Sequence, residues 1–260
     1  LDHRVEHLSA GTLSDRGQAG CGSVGQGRDH LVELGDLAIA QRDLGRWAEA
    51  EANFSQSDAI RRRLGLWHDV QANLSGWMEL SRRTGAPRRA LAQAEEQERI
   101  CRELADPVAV GRALAARAVV LGDLGRAAEA VPLLEEYAAI AAAEGDLRGF
   151  VENTINLSSM LMGLRQLERA VALLRSGAPA VAALADPQLA LAFDTNLQLA
   201  LGEHALALLA GGRLDEAWAL MDEQESICRR IGHDVGLAAA VGNKAIVVRH
   251  RGDIAGALGL

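Results

Sequence analysis

A short pattern recurs six times along this 260-residue chain, and its regular spacing constrains the fold more than any other feature. Each copy has a turn residue, usually Gly, followed five residues later by Ala. Successive turn residues are 40, 40, 40, 47 and 40 residues apart, at Gly45, Gly85, Gly125, Arg165, Gly212 and Gly252. A fixed period of this length indicates a repeat architecture in which each unit packs mainly against its neighbours.

Each turn lies between two stretches with the periodicity of an amphipathic helix. In the first copy Leu31, Leu34 and Ala38 precede the turn at helical spacing, and Ala50 and Phe54 follow it on one face. A second break, rich in Gly, Asp and Pro, follows each second helix, where Gly ends a helix and Asp caps the next one. The repeating unit is therefore predicted to be helix A, turn, helix B and loop, which makes the fold class all-α.

The single interval of 47 residues indicates one insertion. Asp106-Pro107 and Asp186-Pro187 are 80 residues apart, so the loop before the fifth copy is still in register. The seven extra residues are predicted to lie within 187–211 and to lengthen helix A of the fifth copy. Seven residues are close to two helical turns, so the buried face is kept. We expect the longer helix to contact a neighbouring module, to cover the groove or to be a neutral insertion.

Composition excludes several classes of function. The net charge of −8 argues against general nucleic-acid binding, which needs many cations at phosphates. Three widely spaced cysteines form no zinc or disulfide pattern, which favours a reducing cytoplasm. The sequence has no uncharged apolar run long enough to indicate a membrane span. Because the chain begins at Leu1 and stops inside a repeat, we expect it to be part of a longer protein.

The pattern of a small residue in helix A, Gly at the turn, Ala in helix B and then a large apolar residue resembles the tetratricopeptide repeat. The large residues are Phe54, Leu134, Leu174, Met221 and Leu260. The 40-residue period is similar to that of kinesin light chains and of bacterial signalling proteins with tetratricopeptide tails. The resemblance covers residues 30–260, although helix A lacks the aromatic residue usual in the family. It implies a right-handed α-α superhelical solenoid of five full helix pairs and a truncated sixth.

The resemblance also implies where a partner binds. In this family helix A lines a concave groove whose asparagines hold the main chain of a peptide, and Asn156 and Asn243 stand nine residues before their turns. An amide side chain can donate and accept a hydrogen bond at once. The implied partner-binding residues are Asp36, Glu79, Arg82, Glu152, Asn156, Ser159, Glu203, Asn243 and Arg249.

No motif indicates catalysis. Residues 20–25 match the GxGxxG pattern of dinucleotide sites, but the preceding residues contain no strand pattern. His3 and His7 have a metal-compatible spacing without a third ligand, and His204 and His250 have no nucleophile at triad-like spacing. The sequence therefore predicts no enzyme activity, no catalytic residue, no metal and no cofactor.

Arginines flank the A–B turns, which all lie along one edge of a solenoid. They include Arg42, Arg46, Arg82, Arg83, Arg88, Arg89, Arg126, Arg165, Arg169, Arg213, Arg249 and Arg251. One interpretation is that these side chains complement helix dipoles. The other is that they form a ridge that binds an acidic partner.

Together these features predict a Gly-rich linker over residues 1–29 and a repeat domain over 30–260. The leading hypothesis is a scaffold that binds a protein or peptide, with no nucleic acid or membrane as partner, inside a larger cytoplasmic bacterial signalling protein. A second is that the array is the regulatory arm of an enzyme or transcription factor. A third is self-association through the open ends of the solenoid.

Overall fold

The computed structural model describes residues 20–251, with side chains described from residue 31. Within this range every regular element is an α-helix. The helices are α1 (Gly20–Asp43), α2 (Trp47–Arg63), α3 (Trp67–Arg83), α4 (Pro87–Glu103), α5 (Pro107–Asp123), α6 (Ala127–Glu144), α7 (Leu147–Gly163), α8 (Leu167–Leu184), α9 (Pro187–Ala210), α10 (Leu214–Ile231) and α11 (Asp234–His250). The odd-numbered helices are the predicted A helices and the even-numbered ones the B helices. The predicted all-α solenoid of tetratricopeptide-like helix pairs is confirmed.

The chain divides into two compact units, residues 1–86 and 87–260. The first contains α1–α3 and the second α4–α11. Helix α1 begins at Gly20, so residues 20–29 of the predicted linker are helical. Residues 1–19 and 252–260 lie outside the described range, with His3, His7 and the sixth turn at Gly252. The linker and the self-association of the solenoid ends stay predictions.

Left-handed backbone conformations end the helices where the sequence predicts breaks. Gly45, Gly85, Gly125 and Gly212 have φ between +71° and +76° at the A–B turns. Glycine adopts this conformation without strain because it has no Cβ. The fourth turn has Arg165 at φ +58° instead, an uncommon conformation for a residue with a side chain.

The A helices of the second unit are capped by side chains, whereas the B helices are not. Asp146 accepts a hydrogen bond from the Gly149 amide at 2.8 Å, and Asp106 and Asp186 cap α5 and α9 in the same way. At the last of these loops the cap is His233, whose Nδ1 accepts from the Gly236 amide at 3.0 Å. An Ncap acceptor satisfies one of the amides that the first turn of a helix leaves unpaired.

Small residues allow helices A and B to approach each other, as the repeat pattern predicts. The Ala that stands five residues after each described turn is fully buried in every copy, at Ala50, Ala90, Ala130, Ala170 and Ala217. In the second unit the largest apolar cluster runs from Ala118 to Ile227 and joins α5 through α10. In the first unit Ala38, Ala50, Phe54 and Leu80 form a separate cluster. Burial of these apolar faces between neighbouring helices is the main stabilising contribution.

The insertion lies where the sequence predicts it. Helix α9 has 24 residues, whereas α5, α7 and α11 have 17 each. The difference is the seven residues that separate the 47-residue interval from the others. Since seven residues are nearly two turns, α9 keeps one continuous buried face from Leu189 to Leu208.

Candidate functional site

The A helices of the second unit form one layer and the B helices another. Cα atoms of α5 and α7, of α7 and α9, and of α9 and α11 approach within 8 Å. Within residues 87–251 no two of the B helices α4, α6, α8 and α10 come that close. Ion pairs between long side chains connect the B helices instead. Arg102 of α4 lies 2.8 Å from Glu136 of α6, and Arg175 of α8 lies 2.5 Å from Glu223 of α10. The A layer is therefore the closely spaced, inner side of this unit.

One position of the A layer carries Asn on three successive helices. Counted from the first residue of each helix, the tenth residue is Asn156 in α7, Asn196 in α9 and Asn243 in α11. All three side chains are half-buried. We call these three residues the asparagine column. Contact between α7 and α9 and between α9 and α11 places the column across three neighbouring helices of the inner layer.

Direct contacts locate the column relative to its neighbours. The Ser159 hydroxyl of α7 donates to Asn196 Oδ1 at 3.2 Å and to the Ile155 carbonyl at 3.1 Å. The Asn196 amide donates to the Ala192 carbonyl at 3.0 Å. The amides of Asn156 and Asn243 have no hydrogen-bond partner among the described residues, so both are able to bind a ligand main chain.

The structure distributes the predicted groove residues over both units. In the second unit Glu152, Asn156 and Ser159 lie on the same face of α7, three and four residues apart, and Asn243 lies on the equivalent face of α11. Glu152 is exposed and lies 3.5 Å from Arg148, while Arg249 is exposed near the end of α11.

Glu203 is half-buried and accepts a hydrogen bond from Arg165 Nη1 at 2.5 Å. This contact holds α9 against the turn that follows α7. The carboxylate is therefore occupied by a neighbouring repeat, which sets Glu203 apart from the free amides of the column.

In the first unit Asp36 is exposed on α1. Glu79 and Arg82 form an ion pair of 2.7 Å on α3, and Arg83 also donates to Glu79 at 2.9 Å. These two predicted residues therefore bind each other.

Asn196 is the functional candidate that sequence reasoning missed. Counting back from the turn at Gly212 selects Glu203, seven residues further along α9. Counting forward from the Asp186 cap selects Asn196. Because the insertion spans two turns, both residues lie near the same face. The alignment of Asp186-Pro187 with Asp106-Pro107 was the signal that would have found Asn196.

Several arginines at the A–B turns of the second unit are paired with carboxylates. Arg126 donates to both carboxylate oxygens of Glu129 at 2.7 Å, and Arg213 pairs with Glu216 three residues later in the same way. The hydrogen bond from Arg126 lowers the pKa of Glu129. An open cleft of 530 Å³ at the fourth and fifth turns is lined by Arg165, Arg169 and Arg213.

Each of those three arginines has an acidic neighbour, since Arg169 lies 3.2 Å from Glu135 and Arg165 and Arg213 bind Glu203 and Glu216. At these turns the arginines are therefore engaged by carboxylates of the chain itself. Exposed pairs of this kind contribute little to stability.

The described cysteines are buried, and burial raises the pKa of the Cys101 thiol to about 11. A thiol with so high a pKa is protonated near neutral pH and is a weak nucleophile. Over residues 31–251, whose side chains are described, no group of three or more His, Cys, Asp and Glu could hold a metal ion. Within the same range no helix combines the length and apolar character that a membrane span requires.

Comparison with solved structures agrees with the observed packing of helix pairs. A protein described as a signal transduction ATPase with numerous domains, with a tetratricopeptide-repeat sensor, from Pyrococcus horikoshii, superimposes with a TM-score of 0.71. The chain has the tetratricopeptide-repeat fold. The match covers 87% of this chain at 17% identity but only 34% of the Pyrococcus protein, so the chain spans about a third of it.

Two further solved structures show the same fold. A putative kinesin light chain with nearly identical repeats, from Podosopora anserina, has 21% identity and a TM-score of 0.60, over 77% of this chain and 95% of that one. A Rap protein complexed with competence and sporulation factor has 14% identity and a TM-score of 0.59, over 85% and 64%. No protein-family model and no curated protein matches the sequence.

Proposed function

We propose that the A layer of the second unit binds an extended peptide or protein segment through the asparagine column. The carrying observation is that Asn156 and Asn243 have free amides at equivalent positions of the inner layer. Each amide can donate to a carbonyl and accept from an N–H of the same main chain. An extended segment exposes both groups at every residue, whereas a helical one has already paired them internally.

The relatives support a binding role in regulation. The Rap protein is described in complex with competence and sporulation factor, and the repeats of the Pyrococcus ATPase are described as a sensor. By analogy we propose that this array is the interaction module of a larger cytoplasmic bacterial signalling or regulatory protein. The module itself binds and does not catalyse.

The test begins with a phage-displayed library of random 12-residue peptides selected on the chain. For a selected peptide, fluorescence anisotropy gives the Kd of the wild type and of Asn156→Ala/Asn243→Ala. We expect about a tenfold loss of affinity for each amide removed, since one or two hydrogen bonds are lost. The matched control is Ser176→Ala/Ser226→Ala, which changes two exposed polar residues of B helices. An unchanged Kd in the asparagine variant, with helicity intact by circular dichroism, would exclude the column as the binding site.

A second candidate is that the array regulates an enzyme or transcription factor in the same polypeptide. The observation that favours it is the Pyrococcus protein, in which the matched region is 34% of a longer chain. Sequencing the full reading frame tests this idea. A reading frame that encodes only repeats contradicts it, and a catalytic or DNA-binding domain in the same frame supports it.

A further inference from the structure

Helix α9 differs from its neighbours in chemistry as well as length. Its 24 residues include only three titratable side chains, Asp194, Glu203 and His204. Apolar residues occur all round the helix and not on one face alone. A helix that is apolar on every side is normally covered on every side.

Neighbouring helices cover most of α9. Asn196 faces α7 through Ser159, and Phe193 faces α8, where a Cβ on Gly177 would lie 3.2 Å from the Phe193 ring. Gln198 faces α10, since Gln224 donates to its Oε1 at 3.3 Å. Helix α11 contacts α9 as well. The uncovered side of α9 is therefore the inner side of the A layer, between α7 and α11.

Two leucines occupy that uncovered side. Leu199 and Leu206 are 48% and 43% exposed. Seven residues separate them, so their side chains fall within about 20° of each other around the helix axis. We call these two residues the leucine stripe. It lies beside Asn196, whose position on the wheel is about 60° from that of Leu199.

The fold does not require leucine at these positions. Counted from the turn, the α7 residues equivalent to Leu199 and Leu206 are Glu152 and Ser159, and both are exposed and polar. Helix α7 packs normally with those residues. Exposed apolar side chains that share one face of a helix are unfavourable in water, and apolar patches of this kind often mark interaction surfaces.

We propose that the leucine stripe selects, for the groove, an extended peptide that carries apolar side chains. This inference rests on the proposed function, in which the asparagine column binds the peptide main chain. The column supplies affinity that is independent of sequence, and the stripe supplies preference for apolar residues. The one carboxylate beside the stripe, Glu203, is already bound by Arg165, so the surface favours a neutral, apolar segment over a charged one.

A second copy of this chain is the competing occupant. It would bury the leucines but would leave the free amides of Asn156 and Asn243 without a main chain to bind. The combination of free amides and exposed leucines on one face therefore favours the peptide.

The test uses the peptides selected from the random 12-residue library. We expect the selected sequences to share at least two apolar residues. We expect Leu199→Ser/Leu206→Ser to weaken their binding by about tenfold or more, with helicity unchanged. Leu199→Met, which keeps the apolar surface, should bind like the wild type. The matched control is Leu147→Ser, which alters a leucine of 39% exposure at the start of α7 and should leave the Kd unchanged.

The outcomes separate this inference from the proposed function. If no peptide binds the wild type, both fail. If peptides bind through Asn156 and Asn243 but tolerate the serine variant, or share no apolar residue, the leucine stripe is not a specificity element and the proposed function stands. If the serine variant lowers the sedimentation mass of the chain and leaves peptide affinity unchanged, the stripe joins two copies and the proposal is overturned.

Discussion

In the second unit each B helix contacts the following A helix through equivalent positions. At two of these contacts the residues form ion pairs, and at the other two they are apolar. In α4–α5 the Arg117 guanidinium lies 3.0 Å from Glu98 and 3.3 Å from Glu95. In α6–α7 and α8–α9 the residues equivalent to Arg117 are Leu157 and Leu197, both nearly buried.

The contact between α10 and α11 repeats the ionic arrangement. Lys244, the only lysine in the chain, lies 2.5 Å from Glu225 and also pairs with Asp222. Its ammonium is 5.3 Å from the centre of the Trp218 ring. In both ionic contacts one acid, Glu98 or Glu225, stands 19 residues before the cation. The same separation holds between Leu157 and Ala138 and between Leu197 and Ala178.

The comparison shows that one position in this fold accepts either an ion pair or a leucine. The leucine contacts lie in the middle of the unit and belong to the largest apolar cluster. The ionic contacts lie on either side of it. Removing a charge from water is costly, and in each ionic contact two carboxylates offset that cost for the cation.

The largest effect is expected from a cation placed in an apolar contact. Leu197→Lys should lower the free energy of unfolding by about 3 kcal/mol. The residue equivalent to Glu98 is Ala178 and the residue equivalent to Glu95 is Arg175, so neither position supplies an acid. Urea denaturation followed by circular dichroism measures it. Leu157→Lys is the control and should lose less, because Glu135 stands at the equivalent of Glu95. Equal losses would contradict the role given to the carboxylates.

A smaller effect is expected when an ionic contact is broken. Lys244→Ala should cost about 2 kcal/mol, because it leaves Glu225 partly buried with only Arg229 as partner. Arg117→Ala should cost about 1 kcal/mol, since the Arg117 side chain is 30% exposed against 8% for Lys244. The same urea titrations measure both variants. A larger loss for Arg117→Ala would show that burial does not set the difference.

The cost of Lys244→Ala should also depend on pH. Burial lowers the pKa of Lys244, but hydrogen bonds to Asp222 and Glu225 outweigh burial and raise it. Its stabilisation is therefore complete below the ordinary lysine pKa of about 10.4 and is lost as the pH rises through the raised value. Hydrogen bonds from Lys244 and Arg229 lower the pKa of Glu225. That contribution is complete above the ordinary glutamate pKa of about 4.3 and is lost as the pH falls through the lowered value. A cost that stays constant from acid to alkaline pH would contradict this account.

The smallest effect is expected from converting the ionic contact into an apolar one. Lys244→Leu/Glu225→Ala copies the Leu157–Ala138 pair and should change the free energy of unfolding by less than about 1 kcal/mol. Lys244→Leu alone should be less stable than the double variant, because Glu225 then keeps only one cation. A double variant that is less stable than the single one would show that the two kinds of contact are not interchangeable.

Much of this fold was predictable because its determinants are local in sequence. Glycine at the turn, aspartate at the cap and alanine where helices cross act through neighbouring residues and recur at a fixed period. The insertion in α9 was predictable for the same reason, since the Asp186-Pro187 pair kept the register. The groove itself stays a prediction. Asn156 and Ser159 share a face as expected, but Asn196 was missed because an insertion allows two ways of counting.

By itself the sequence determined the order of the described helices and, apart from the start of α1, their approximate lengths, because helix starts, stops and periodicity are properties of short segments. Only the tertiary structure decided which side of each helix was left uncovered. Leu199 and Leu201 are both apolar in sequence, yet Leu201 is fully buried and Leu199 is about half exposed. The difference arises because α7, α8, α10 and α11 surround α9 on all sides but one, and the neighbours of a helix depend on contacts between residues far apart in the chain.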